Sequence, residues 1–433
     1  MAPKDRPLTS IEICAGAGGQ AIGLHQAGFK HLALVEIDKH AAETLEWNIK
    51  RRESWSWERE YCDVISDDVN NFRPIPSDDI QDSGLDKPVK FLGRQLRRGD
   101  LDLLAGGVPC PPFSHAGKQL GKDDERDLFP RMLELVDELH PKAVMIENVR
   151  GIKDAKFVDY RTYIEARLAG GRAKRPETGL EEDFAGLGYE ICEWEVLEAS
   201  DFGVPQLRPR AVLVAIRADV LGDIKFVWPT PVGGVYSVFD ALEKSMEARY
   251  EPYISMGGKI GKIASESLSR WVREASRAAL EKKDGGIAPT LVGGSKKHGG
   301  ADLGPSRAKA AWETLGVSGM GVANNHEQGE KKKSQGRDLF GADGPMLTVE
   351  QAAIIQGFPK EWEFTGGKTA QYRQVGNAFP PPVAAAVGKA IADVLRAADE
   401  RDAKTAAPRQ KPLPGQVVPA FADGADDRQG AGV

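Results

Sequence analysis

The chain has 433 residues, 41% hydrophobic and 28% charged, enough for one large or two medium globular domains with a sizeable core. Its net charge of −6 excludes a uniformly basic nucleic-acid binder, and cysteines at 14, 62, 110 and 192 have neither zinc-ligand nor disulfide-framework spacing, so no metal is expected. With no run of about 18 apolar residues and no apolar leader, the sequence predicts neither membrane insertion nor secretion, and a cytoplasmic location.

Apolar β-rich runs at residues 10–14 and 32–37 alternate with amphipathic stretches at 20–27 and 40–48, a βαβα beginning. The pattern resumes as strand, helix and strand at 101–105, 128–139 and 143–147, with an Asp-, Pro- and Gly-rich loop excursion over 66–100. Runs at 189–196 and 211–217 are apolar enough to close the sheet. The predicted fold class is α/β, a mostly parallel, doubly wound, Rossmann-like sheet occupying residues 1–231. From 232 to 340 Gly, Ser, Lys and Asn dominate and periodicity weakens, which predicts a smaller, irregular domain. Residues 257–340 carry 15 Lys or Arg against 9 Asp or Glu, a positive stretch able to neutralise phosphates within an acidic chain. Helical periodicity returns at 349–356 and 383–397, so residues 341–398 rejoin the first domain, and 399–433 reads as a disordered tail.

Gly16-Ala17-Gly18-Gly19 follows the first strand and opens the first helix, where glycines admit a ligand close to the backbone and the helix end favours a negative group. Glu36, twenty residues after Gly16, ends the second strand and can accept hydrogen bonds from both ribose hydroxyls, while Asp63 can take an adenine amino group. The same glycine spacing satisfies G-x-G-x-x-A, so this loop points to an adenosine-bearing ligand and leaves open a nicotinamide oxidoreductase and a glycine-rich turn of purely structural purpose.

Gly106-Gly107-Val108-Pro109-Cys110-Pro111-Pro112-Phe113-Ser114 places a cysteine at the C-terminal end of a strand, where open α/β sheets build their sites, and its prolines hold the thiol in a stiff loop. The next strand ends in Glu147-Asn148-Val149, and parallel neighbours about 4.8 Å apart let Cys110 and Glu147 face one pocket if the strands pair. Gln206-Leu207-Arg208-Pro209-Arg210 adds two guanidinium groups on one side of an extended chain. These residues suit one chemistry. Carbon 5 of cytosine is too weak a nucleophile for a sulfonium methyl, and a thiolate added at carbon 6 turns the ring into an enamine that is strong enough. Ring nitrogen 3 then needs an acid with a raised pKa, such as Glu147; Arg208 could bind the base carbonyl or a flanking phosphate, and Arg210 could fix Glu147.

In this order the residues resemble the cytosine-5 DNA methyltransferase family over most of residues 8–220 and 345–398. The Pro-Cys segment, Gly117-Lys118-Gln119, Glu147-Asn148-Val149 and Gln206-x-Arg208-x-Arg210 match its catalytic motifs. Leu347-Thr348-x-Glu350 with Gln356-Gly357-Phe358-Pro359, and Gln374-Val375-Gly376-Asn377-Ala378, match its C-terminal motifs. The resemblance implies a DNA (cytosine-5-)-methyltransferase that moves a methyl group from S-adenosylmethionine to a flipped-out cytosine of duplex DNA. Carried over residue by residue, Cys110 is the nucleophile, Glu147 the acid, Asn148 a loop anchor, and Arg208 and Arg210 the base-side cations. Cofactor contacts fall on Cys14, Ala15, Gly16, Gly18, Gly19, Glu36, Ile37, Asp63, Val64, Pro109, Asn377 and Ala378.

Segment 232–340 becomes the target-recognition domain, and 114–126 the mobile loop that closes over the base, so Ser114, Gly117, Lys118, Gln119, Lys296 and Lys297 are DNA contacts. His298, Arg307, Lys331, Lys332 and Lys333 are further phosphate contacts. The implied setting is a monomer in a prokaryotic or phage nucleoid, of the restriction-modification or orphan type, with a cognate restriction endonuclease as functional partner. Cys14 stands where the family usually has Phe, Ile37 where an aromatic or bulky apolar residue often covers adenine, and Pro111 where Gln is frequent. A transfer-RNA methyltransferase of the same chemistry is the alternative, and the length of 232–340 favours DNA. A protein that kept this fold without catalysis is disfavoured by the presence of Cys110, Glu147 and Arg208 together.

Overall fold

The structure is a computed structural model that describes residues 6–76, 89–91, 93–109, 127–293 and 301–405. Cys110, Pro111, Ser114, Gly117, Lys118, Gln119, Lys296, Lys297, His298, the closing loop 114–126 and residues 406–433 of the tail lie outside the described residues.

Seven strands, β1 (Leu8–Ile13), β2 (Phe29–Val35), β3 (Asp63–Ile65), β4 (Leu103–Gly106), β5 (Ala143–Val149), β6 (Tyr189–Glu198) and β7 (Pro209–Arg217), form one sheet in the order β6-β7-β5-β4-β1-β2-β3. Every pairing is parallel except the two made by β7, which runs against β5 and β6. Strand order reverses between β1 and β4, so the turns that follow these two strands open a crevice at their C-terminal ends.

The helices that frame the sheet and the site are α1 (Gly19–Gln26), α2 (Lys39–Arg51), α3 (Phe129–Leu139), α4 (Val158–Ala169), α5 (Val238–Ser255), α6 (Gly258–Glu281), α7 (Val349–Ile355), α8 (Lys368–Asn377) and α9 (Pro381–Thr405), with other short helices and turns between them. Side chains alternate across the central strands. Leu103, Ala105, Met145, Val212 and Val214 join Leu24 of α1 and Val383, Val387 and Ile391 of α9. Leu104, Val144, Ile146 and Leu213 join Met132 and Val136 of α3 and Tyr163 and Ile164 of α4. The central strands are therefore covered on both faces, which explains their continuous apolar character. The stretch 368–405 is apolar and long enough to cross a membrane by composition alone, but 67% of its most apolar window is buried inside the protein.

Segment 232–340 differs from the irregular region expected of it. It contains α5, opened by a reciprocal capping box between Ser237 and Asp240, and the 24-residue α6. The buried face of α6 is Gly261, Ala264, Ser267, Trp271, Ala275 and Ala278, spaced by three and four residues. Its periodicity is carried almost wholly by small side chains, so a reading keyed to large apolar residues passes over it. Trp271, Tyr250 and Trp312 pack in a cluster that also takes in Ile22, Leu45, Ile49 and Trp55. Two short hairpins were likewise not expected, one pairing Lys90–Phe91 with Arg94–Gln95, the other Gly171–Lys174 with Glu181–Phe184.

At the N-terminal edge of the sheet, away from the crevice, Asp102 is buried and accepts from Arg6 Nη1 at 2.7 Å and from the Thr9 amide at 2.9 Å, with Lys142 Nζ 3.0 Å away. Arg6 also donates to Asp399 on α9 at 2.8 Å.

Candidate active site

After β1 the chain turns sharply: Cys14, Gly16 and Gly18 have φ of 52°, 56° and 95°, the left-handed region that costs a side chain more than it costs glycine. This turn places the Gly16 amide 2.7 Å from Glu36 Oε2, and the Asp38 amide is 2.7 Å from Glu36 Oε1. Glu36 follows β2 and is 8% exposed; burial raises its pKa, partly offset by these two amide hydrogen bonds. Each carboxylate oxygen retains a further lone pair. Ile37 beside it is 69% exposed, an aliphatic surface next to a buried acid.

Asp63, the expected adenine contact, lies on the third strand in the direction of Glu36. It opens β3 and pairs with Ala33, set back from the strand end where Glu36 lies, and is exposed. Asp68, which sequence reasoning missed, is the carboxylate whose field, after that of Glu36, reaches Cys14; burial and these two charges push the Cys14 thiol up to about 12. A Cβ on Gly19 would sit 2.3 Å from the Phe379 carbonyl and 3.0 Å from Ala378 Cβ, so the start of α1 is seated directly on residues 378–379. Asn377 is exposed beside this contact, at the end of α8.

On the other side of the crevice β4 and β5 do pair, from Leu103 opposite Ala143 to Gly106 opposite Ile146. Gly107 therefore lies beside Glu147, and a Cβ there would be 3.1 Å from Glu147 Oε2. Asn148 Nδ2 donates to the Val108 carbonyl at 2.8 Å, anchoring the segment that runs through the exposed Pro109 into Cys110. On the neighbouring β7, Arg210 Nε is 2.8 Å from Glu147 Oε1, with side-chain exposures of 12% and 13%. Burial lifts the Glu147 carboxyl above its ordinary range, although the charges of Arg210 and Arg208 and the Arg210 hydrogen bond pull it back.

Arg208 departs from the base-side role expected of it. The residue is 1% exposed, and its guanidinium donates to the carbonyls of Leu291 at 2.7 Å, Gly376 at 2.7 Å and Ala378 at 3.0 Å. Gln206, also missed, is fully buried: its Nε2 donates to Gln356 Oε1 at 2.7 Å, and its Oε1 accepts from the Leu291 amide at 2.7 Å. The every-second-residue spacing of Gln206, Arg208 and Arg210 is the one sequence signal that links these side chains. Arg307 is exposed on a short helix over 306–313, and Lys331, Lys332 and Lys333 are exposed, with Lys331 held 2.8 Å from Glu327. Two cavities of about 540 and 460 Å³, lined in part by Arg249, Asn325, Thr348 and Lys360, touch neither Glu147 nor Arg210.

The family model for C-5 cytosine-specific DNA methylases matches residues 8–393. The chain is 44% identical over 390 residues to the type II methyltransferase M.NaeI of Lentzea aerocolonigenes, covering 90% of this chain and 75% of that one. It is 40% identical over 393 residues to the type II methyltransferase M.NgoMIV of Neisseria gonorrhoeae, covering 90% and 98%. An E. coli prophage-encoded chain described as a DNA modification methyltransferase shares the fold at a TM-score of 0.51 and 21% identity, over 90% of this chain and 99% of that one. With Glu147 and Arg210 joined at the mouth of a doubly wound sheet and the family model spanning nearly its whole length, this chain belongs to the C-5 cytosine-specific DNA methylase family and is a DNA (cytosine-5-)-methyltransferase.

Proposed function

We propose that the chain methylates cytosine in duplex DNA through a covalent Cys110 adduct, with S-adenosylmethionine as the methyl donor. The observation that carries this reading is the pair Glu147–Arg210, 2.8 Å apart, with Glu147 beside Gly107, which precedes Cys110 by three residues. The donor side is supported by an acid with free lone pairs against an exposed aliphatic residue: Glu36 fits two ribose hydroxyls and Ile37 fits a purine face. Gly16, whose missing Cβ would meet nothing within 4 Å, leaves open space above the turn. The purine amino group then falls to the segment from Asp63 to Asp68, and the methionine end to the backbone of 16–19 with Asn377. When bound, S-adenosylmethionine supplies a methyl group on a positively charged sulfur.

The chain's own residues prepare the acceptor. The flipped cytosine takes the Cys110 thiolate at carbon 6, and the electron pair displaced onto carbon 5 makes that carbon nucleophilic. Glu147, whose pKa burial raises, donates in its acid form to ring nitrogen 3 as charge develops there. Arg210 steadies the Glu147 carboxyl through its Nε and faces the base carbonyl with its remaining donors. After methylation the carbon-5 proton is lost to a base, the thiolate is expelled and ring nitrogen 3 returns its proton to Glu147, which restores the aromatic ring and the acid.

The two relatives above are type II methyltransferases, which supports a restriction-modification setting for this chain, as a monomer acting on double-stranded DNA in the cytoplasm with a cognate endonuclease as functional partner. A duplex carrying 5-fluorocytosine at the target, whose carbon 5 has no proton to lose, should become covalently trapped on Cys110 when the donor is supplied. Bisulfite sequencing of host DNA after expression locates that target. Turnover on ordinary DNA without any trapped adduct, or an adduct that survives Cys110→Ser, overturns the proposal.

A further inference from the structure

Arg208 is a fully buried cation whose guanidinium hydrogen bonds all go to main-chain carbonyls, and its Nε has no partner among the described residues. Burial and the neighbouring Arg210 charge push its pKa down to about 9 against the pull of Glu147. A desolvated charge on neutral acceptors is a costly way to fill a core, and apolar residues of similar volume commonly fill one as well or better. What it joins is informative. The Leu291 carbonyl lies where the chain leaves α6 and heads for residues 301–340, while the Gly376 and Ala378 carbonyls belong to the segment seated on the Gly18–Gly19 turn.

That segment has no slack. A Cβ on Gly376 would come 2.6 Å from Gly293 Cα, and one on Gly19 would come 2.3 Å from the Phe379 carbonyl, so 376–379 is clasped between 291–293 and the start of α1. Gln356 braces the same point, with its Nε2 2.5 Å from the Ala378 carbonyl and its Oε1 accepting from Gln206. Two residues beyond Arg208, on the same side of the strand, Arg210 holds Glu147.

We propose that Arg208, braced by Gln206 and Gln356, is a positioning residue that fixes the spacing between the base end of the site at Glu147–Arg210 and the donor end at residues 16–19 and 376–379. The inference rests on the reading of these two ends given above. It makes Arg208 dispensable for activating the base and necessary for bringing carbon 5 within reach of the methyl group. A displacement of about 1 Å between reacting groups can cost about 100-fold in rate.

The two halves of the reaction can be measured separately. Without a donor, Cys110 addition to a target cytosine carrying tritium at carbon 5 lets that carbon take a proton from water. Loss of the tritium to a base and expulsion of the thiolate then regenerate cytosine and leave tritium in water. In Arg208→Met and Arg208→Lys, methyl transfer at saturating DNA and donor should fall about 100-fold and about 10-fold respectively, while donor-free tritium release stays within about 3-fold of wild type. Gln356→Leu, which leaves Arg208 in place, should show the same split more weakly. If transfer and release fall in the same proportion in the Arg208 variants and in Gln356→Leu, or if transfer is unchanged, the spacing role is wrong. If the wild type itself releases no tritium and forms no adduct, the underlying reading of the site fails instead, so the two failures are distinguishable.

Discussion

A single carboxyl, Glu147, sets the pH response expected of this enzyme. Its pKa is raised by burial and held in check by Arg210, so it stays protonated to higher pH than an ordinary glutamic acid. Because the acid form acts, Glu147 gives kcat an alkaline limb, a decline as pH rises through that raised pKa, while the need for the Cys110 thiolate sets the limb at low pH. Glu147→Gln cannot deliver a proton, and is expected to lose about 10²- to 10⁴-fold in kcat together with this alkaline limb, read from a pH–rate profile. Arg210→Met removes the charge that favours the carboxylate, so the alkaline limb should move to higher pH while the maximum rate falls. A limb that moves to lower pH in that variant would contradict the ion pair at 2.8 Å as the controlling contact.

At the level of elements, α1 rests on a buried polar cluster that the reaction does not use. His31 Nε2 lies 2.9 Å from the Ala21 carbonyl and must carry the proton, so its Nδ1 accepts from Ser10 Oγ at 2.8 Å. Glu12 Oε1 sits 3.4 Å from that same unprotonated nitrogen, an arrangement that suits a neutral carboxyl. Burial pushes Glu12 up to about 8 and His31 down to about 4. The signs oppose. A raised carboxyl gives stability that is complete below its ordinary value of 4.5 and is lost as pH rises toward 8, whereas a depressed imidazole gives stability that is lost as pH falls from 6.5 toward 4. Glu12→Gln should therefore raise the melting temperature at pH 8 by about 2 °C or more and leave it nearly unchanged at pH 5, a difference that calorimetry at the two pH values reads directly.

Across the whole molecule, the staple of Arg6, Asp102, Lys142 and Asp399 closes the sheet at the edge opposite the crevice. Burial alone would raise the Asp102 pKa, but the Arg6 hydrogen bond and the Lys142 and Arg6 charges bring it below 3.8, so this stabilisation is present at neutral pH and is lost as pH falls below that value. Asp102→Ala is expected to cost about 3 kcal/mol at pH 7, measured by denaturant unfolding, with wild-type tritium release in the fraction that remains folded.

The βα alternation of the sheet was legible because strands covered on both faces must be apolar throughout, whereas the pairing of β4 with β5 was only a condition in the sequence and is shown by the structure. The helices of 232–340 were not, since Gly261, Ala264 and Ala275 bury a face without looking apolar. Nor was the fate of Arg208, whose partners lie 83, 168 and 170 positions away and exist only once the chain has returned to the first sheet. Arg210 and Glu147 were readable as a pair because two adjacent strand ends suffice to join them. The contact between Arg6 and Asp399 carries a topological corollary. With these two points bridged by a short linker, a circular permutant opened at the exposed Gly233-Gly234 would run through α5 and α9 before reaching β1, with every side chain of the site in its original place. Such a rearranged enzyme should still be captured by fluorinated substrate, which would separate the order of genetic segments from the geometry they build.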